Sequence, residues 1–506
     1  MHLNRRSFTQ IAAWLASASA LSPVAALAST ASGAPAAAAP KAPDAIYALV
    51  DYVLATQYAD LPADVVEATK IQIMDTIAVA LPALTADGIR QLYAWSLDTG
   101  GKEESLVLGT NVRLPAEKAA RLNASMAATL EFDDTYEPSL MHASGVIIPT
   151  ALATADWLKN VSGKELITAV AVGNDVTCRL SRAGSPGLSP FIVGWDPTPM
   201  YGILGATMVA GKLMGLNRDQ MVAAVGLAYH QMSGNAQASV DGTLAKRLGP
   251  GFASYDGIMS ARLAQAGVFG SNNVLQGFKG LFKQYHKGQY SEAALLGELG
   301  KHFAGVDIAA KPYPSCRGGH VAIDGTLALV QEYNLQPADI EKVVIYSPPA
   351  EMMLLGAPIE KKRNPQTIVE AQFSNPWVVA AAIQDRKVGL EHFTDAALQR
   401  QDLKQLTQRM YTVEDKSLVR PDGGPGFVRL EITTKQGDTH SKLVQYAKGD
   451  PKNPMSPQEY EQKFFACATA ARMPQAQAQR VLQRIQQLEK EADVSALQSA
   501  MAITAS

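Results

Sequence analysis

The stretch YGILGATMVAGKLMGL, residues 201–216, limits the fold more than any other part of the chain. Glycine and alanine recur through it, so neighbouring backbones can approach closely, and it reads as a helix buried among other helices. A membrane span is excluded here, because Lys212 interrupts the run and the run is too short to cross a bilayer. The same helical patterning extends from about residue 43 to residue 270. In NRDQMVAAVGLAYHQM (217–232), Asn217 is a candidate N-cap, and Gln220 three residues on closes a capping box ahead of an apolar run.

Beyond residue 270 the pattern is mixed. KVVIYS (342–347) reads as a strand. In FVRLEITTKQGDTHSKLVQY (427–446), Val428, Leu430 and Ile432 alternate with Arg429, Glu431 and Thr433 before a turn at Gln436-Gly437-Asp438. That predicts a hairpin with one covered face. Ser456, Pro457 and Glu459 begin another helix as cap, first residue and box partner, and residues 473–503 form an amphipathic closing segment. A chain of 506 residues exceeds the size at which one core usually keeps growing. The expected fold is therefore mainly α with a second α+β domain. The helical domain takes residues 43–270, completed by a C-terminal helix over 476–504, and the α+β domain takes 271–475.

A net charge of −2, with no basic block, gives no reason to expect nucleic acid or an anionic membrane as partner. Cys178, Cys316 and Cys467 lie far apart, without zinc spacing and in an odd number, so they build neither a metal knuckle nor a disulfide framework.

The chemistry concentrates in EFDDTYEPSLMHASG (131–145), where Glu131, Asp133, Asp134 and Glu137 crowd together ahead of His142. Carboxylates that close repel one another and need a metal, a substrate, a proton-transfer role or open solvent. Four more polar islands interrupt the apolar helices: GWDPTPMYG (194–202), SVDGTLAKRLGPG (239–251), KPYPSCRGGH (311–320) and EAQFSNPW (370–377). Such Gly- and Pro-rich islands are what a pocket assembled from loops looks like. Lys246, Lys311 and Arg317 supply cations for carboxylates, while Glu131, Asp133 and His142 can move protons. Phe132 and Tyr136 break the alternate oxygen spacing of a calcium loop, and no His pair has zinc spacing, so no metal is expected. A serine nucleophile elbow is absent as well.

Taken in order with MDTIAVAL (74–81), these islands resemble the MmgE/PrpD family over about residues 45–470. Its activities include 2-methylcitrate dehydratase, cis-aconitate decarboxylase and iminodisuccinate epimerase. The resemblance implies a homodimer, an active site between the domains, no metal or organic cofactor, and a small carboxylate substrate activated by proton removal beside a carboxylate. It implies His142, Lys246 and Glu131 as catalytic groups, Glu131 standing where the family commonly has Asp. Asp133, Asp134, Thr135, Asp196, Lys311, Cys316, Arg317 and His320 fill the implied substrate pocket. Glu131 with Asp133 or Asp134 is expected to orient His142 and Thr135, and Glu137 to be solvated. The chain also departs from the family. Asp196 lies in a segment where the decarboxylases carry a His, Gly249 replaces a second His, Cys316 a third, and Met352 aligns near a tyrosine. Asp196 is either a pocket acid, protonated or meeting a cation or hydroxyl of the substrate, or the cap of the helix after Pro197-Thr198-Pro199. These departures keep a second reading open, a non-catalytic exported protein that binds a carboxylate.

The N-terminus pairs Arg5 with Arg6 ahead of Ser7-Phe8, followed by an Ala-rich apolar stretch and an Ala26-Leu27-Ala28 cleavage site. That order resembles a bacterial twin-arginine export signal over residues 1–28, with 29–42 as a flexible leader. The mature protein is expected in the periplasm without membrane anchoring. N-terminal sequencing of periplasmic protein should place its start near Ser29, and replacing Arg5 and Arg6 by Lys should leave the protein in the cytoplasm. Unprocessed protein in the cytoplasm of the unaltered strain would refute the export reading.

Overall fold

The computed structural model describes residues 43–184 and 194–503, so the signal and leader segments lie outside the described residues. Helices of ten residues or more are numbered here in chain order. The first four are α1 (Ile46–Ala55), α2 (Ala63–Ala80), α3 (Ile89–Thr99) and α4 (Ala116–Thr129). Next come α5 (Ser144–Leu158), α6 (Gly163–Ala183), α7 (Pro197–Leu213), α8 (Arg218–Gln231) and α9 (Ala245–Gln265). The later ones are α10 (His320–Glu332), α11 (Asn375–Asp385), α12 (Pro457–Ala470) and α13 (Gln475–Gln486). Among the described residues, no helix is long and apolar enough to cross a membrane.

The Gly- and Ala-rich stretch is α7, and it is the centre of the helical lobe, packed against α5, α6, α8 and α9. Its glycines make that position possible. A Cβ at Gly205 would lie 1.8 Å from Thr177 Oγ1 of α6 and 2.9 Å from Ile147 Cδ1 of α5. From the other side, a Cβ at Gly257 of α9 would lie 2.6 Å from the Cβ of Ala206. Both predicted capping boxes are present: Asn217 accepts from the Gln220 N–H at 2.9 Å, and Ser456 from the Glu459 N–H at 3.3 Å.

The smaller lobe holds a four-stranded sheet of β1 (Ile340–Ser347), β2 (Met410–Glu414), β3 (Val428–Thr434) and β4 (Thr439–Val444), in the order β2-β1-β3-β4. Strands β3 and β4 are the predicted hairpin, with Leu430 opposite Lys442 and Gly437 at φ 96° in the turn. Strand β1 runs antiparallel to β3 and parallel to β2, and α11 lies in the crossover between β1 and β2. Helix α10 packs on β3, β4 and α11. The fold is mainly α with a smaller α+β lobe.

Burial shifts the domain limits drawn at 270 and 475. The helical core runs from Ala45 to Ala304 and resumes with Phe464, Cys467 and Ala468 of α12 and the helices after it. The second core spans only Val321 to Ala447. Helix α12 joins the first core because it packs on α2, a partnership between distant segments that local patterning does not report. The Gly205→Ala variant should lose roughly 1–3 kcal/mol of stability, since neither Thr177 nor Ile147 has room to retreat in a close-packed core. Denaturant titration checks this; an unchanged midpoint would mean that the α6–α7 contact yields.

Candidate active site

Residues 131–145 connect α4 to α5. Glu131 has φ 52°, in the left-handed region that a non-glycine residue rarely occupies. The chain then exchanges two 2.8 Å backbone hydrogen bonds between Thr135 and Ala309, and turns tightly at Glu137–Ser139. This brings His142 to the position two residues before α5 begins at Ser144. Its backbone N–H donates to Thr198 Oγ1 in the first turn of α7 at 3.1 Å. Lys246, in the first turn of α9, closes on Glu131. The N-termini of α5, α7 and α9 therefore converge on one spot, each with the positive end of its helix dipole, although in α7 Pro197 and Pro199 carry no N–H and the Thr198 N–H is taken by Asp196. Such a place favours anions.

Buried carboxylates answer part of that field. Glu131 pairs with Lys246, and Lys311 Nζ lies 3.1 Å from its carbonyl and 3.5 Å from Oε2. Burial pushes the Glu131 carboxyl up, but the two ammonium groups outweigh it and hold the pKa at about 2. Lys246 is correspondingly raised: burial opposes its charge and Glu131 more than compensates. Asp133 Oδ2 lies 3.2 Å from His142 Nδ1, and burial there is outweighed by His142 and Lys311, so Asp133 stays well below the usual carboxylate range.

The orientation of His142 follows from its partners. Nδ1 lies 2.7 Å from the Asp134 carbonyl oxygen, which can only accept, so Nδ1 carries the proton in the neutral ring. Nε2 is then left with the lone pair. The Asp133 side chain is 3 % exposed, Glu131 5 % and Lys311 1 %, whereas His142 keeps 18 % and Lys246 23 %. His142 and Lys246 are therefore the members of this cluster open to a small molecule, while the other three set their charge and position. Thr135 Oγ1 is 3.5 Å from Nδ1, at the edge of hydrogen-bond range.

Several expected pocket residues have other roles. Glu137 is not solvated; it is buried, with Arg317 Nε 2.7 Å from Oε1 and Arg420 Nη1 2.7 Å from Oε2. Arg317 is thus spent on Glu137 and on the Lys448 carbonyl rather than turned to a substrate. His320 is buried, its Nε2 3.2 Å from the Ser315 carbonyl and its ring edge-on to Tyr313. Cys316 stands near Glu131 and Lys311, and burial pushes its thiol pKa up, away from the reactive thiolate. Asp196 caps α7, Oδ1 accepting from the Thr198 N–H at 3.0 Å; burial raises its carboxyl despite nearby Lys246. Two groups were not singled out in the sequence. Lys463 of α12 lies 2.6 Å from Asp75 and donates to the Phe132 carbonyl, and Arg247 adjoins Lys246. The single acid inside the apolar MDTIAVAL run was a readable signal for the first.

Asp134 turns away from His142. With Asp75, Gln72 and Tyr460 it lines a separate cavity of about 120 Å³. Neither carboxyl oxygen makes a well-formed hydrogen bond. Burial, opposed by Ser144 and reinforced by Asp75 and Asp133, pushes its pKa up to about 7. Among the described residues, no three His, Cys, Asp or Glu side chains gather as a metal ion would require.

Fold and cluster together define a two-lobed, mainly helical protein with a buried acid–base group at its lobe junction. The chain belongs to the MmgE/PrpD family: residues 47–293 match the MmgE/PrpD N-terminal domain and residues 313–490 the C-terminal domain. It is similar to a cis-aconitate decarboxylase-like protein of Aspergillus oryzae, 27 % identical over 89 % of this chain and 95 % of the relative. It is also similar to the cis-aconitate decarboxylases of Aspergillus terreus, 25 % identical over 81 % of this chain and 86 % of the relative, and of Homo sapiens, 26 % identical over 80 % and 84 %.

Asp134 makes the stability of the protein depend on pH. Its folded pKa, about 7, lies above the value near 4 of an unfolded chain. Below pH ~4 both states hold the proton and nothing is lost. Between about 4 and 7 the unfolded state ionises while the folded state does not, so stability falls as pH rises. Asp134→Asn abolishes this dependence. Its stability relative to the natural protein should grow from pH 4 to 7 and then level off, as followed by thermal melts; a pH-independent difference would contradict the assignment.

Proposed function

We propose that this MmgE/PrpD-family protein is an exported, homodimeric lyase that acts on a small polycarboxylate by proton transfer at a carbon beside a carboxylate. The observation that carries this reading is the gathering of His142, on Asp133, and Lys246, on Glu131, at three converging helix N-termini. Lyase chemistry of this kind builds negative charge on the α-carbon and its carboxylate. Lys246 and the helix ends supply positive charge there, and Glu131 keeps Lys246 ionised. His142, held through Nδ1 by the Asp134 carbonyl and Asp133, presents Nε2 to take or deliver the proton. Asp133 stabilises the imidazolium whenever the ring is charged. Acid, base and cations are all side chains of this chain, so the reading calls for no added cofactor. The relatives named for cis-aconitate decarboxylation support that acid as the first substrate to try.

The test is to incubate the purified processed protein with cis-aconitate and 2-methylcitrate in heavy water and follow product and deuterium by NMR. Turnover with deuterium at the reacting carbon is expected. His142→Ala and Lys246→Ala should each lower it by roughly 10²–10⁴-fold with the fold retained. If the acids bind but neither turn over nor exchange, the protein is a carboxylate-binding relative and not a lyase.

A further inference from the structure

Four arginines of the described chain are at least nine-tenths buried: Arg179, Arg247, Arg317 and Arg420. Three are fully engaged. Arg179 pairs with Asp175 at 2.8 Å and donates to the Gly297 and His302 carbonyls. Arg317 pairs with Glu137 and the Lys448 carbonyl, and Arg420 with Glu137, Asp450 and Asp422. Arg247 is the exception. Its one hydrogen bond is a long one, Nη2 to Gln372 Oε1 at 3.4 Å, and no carboxylate of the described residues lies within ion-pair distance. A buried guanidinium without a counter-charge is unfavourable, and its planar fork matches a carboxylate in two parallel hydrogen bonds.

The position of Arg247 ties it to the site. It follows Lys246 in the first turn of α9. The same Gln372 side chain donates from Nε2 to the Leu130 carbonyl at 2.9 Å, so the Arg247 contact rests on the corner that leads into Glu131. Glu131 and Asp87 act on Arg247 only through space. Lys246 is answered by Glu131, and Lys311 by Glu131 and Asp133. One turn after Lys246, Gly249 packs against the Pro199 ring of α7: a Cβ there would lie 3.4 Å from Pro199 Cγ, in ordinary contact. The lobe junction thus holds a buried cation with no carboxylate partner among the described residues.

We infer that Arg247 is the anchor for a second carboxylate of the substrate, held bidentately while the reacting end lies at His142 and Lys246. This rests on the carboxylate reading of the site given above. It assigns the substrate to the di- and tricarboxylates and sets simple monocarboxylates outside it.

Binding, which needs no turnover, separates this inference from the lyase reading. Tricarballylate and butyrate are titrated by calorimetry into the processed natural protein, Arg247→Gln and Arg247→Lys, with butyrate also read by competition. The natural protein should prefer tricarballylate. Arg247→Gln should weaken tricarballylate at least tenfold and leave butyrate within twofold. Arg247→Lys, which keeps the charge but loses the fork, should fall between them and serves as the readout should the Gln variant not fold. Equal tricarballylate binding by the natural protein and Arg247→Lys or Arg247→Gln would overturn the inference. So would parallel loss of both acids, which marks a structural role, or a natural protein with no preference. Absence of turnover alongside the expected binding pattern would sink the lyase reading and leave this one standing.

Discussion

Four carboxyl groups buried within seven residues need either a counter-charge or a proton, and the rest of the site is arranged around that requirement. Glu131 and Asp133 take Lys246, Lys311 and His142. Glu137 takes two arginines, Arg317 and Arg420, from the far side of the junction. Asp134, without a cation, has its pKa raised by burial to about 7 and keeps a proton below about that pH. Glu131, Asp133 and Glu137 each have two cationic partners, so the ion pairs hold the loop in one arrangement more than they add net stability.

These pairs also bring the lobes together. Lys311, Arg317, Gln372 and Arg420 all reach the 130–137 segment from after residue 310, and Lys463 reaches Phe132 from α12. The helical lobe supplies His142 and Lys246 together with their carboxylate partners Asp133 and Glu131, and Lys311 from beyond it closes on both carboxylates. His142 and Lys246 can remain partly exposed because the neutralising groups behind them are not.

The convergence of helix N-termini depends in turn on close packing. Helix α7 reaches the junction between α5, α6 and α9 only because glycines at 205 and 257 let backbones come within a distance that any side chain would block. The positive field at the site is therefore a product of small residues well away from the charges themselves.

Helix starts, the hairpin at Gly437 and the mainly helical lobe were legible in the sequence, because caps, turns and alternation are local properties of neighbouring residues. The family was legible too, in six short motifs kept in order, and with it His142, Lys246 and Glu131 as a group. The tertiary structure alone decided which carboxylate meets which cation. Nothing local distinguishes Asp133, which faces His142, from Asp134, which faces a separate cavity, or shows that Glu137 is buried against Arg317 and Arg420, the latter 283 positions away. Nor does spacing reveal that Arg247 lacks the partner every other buried arginine has. A charge's role depends on which groups share its low-dielectric surroundings, and long-range packing sets those surroundings.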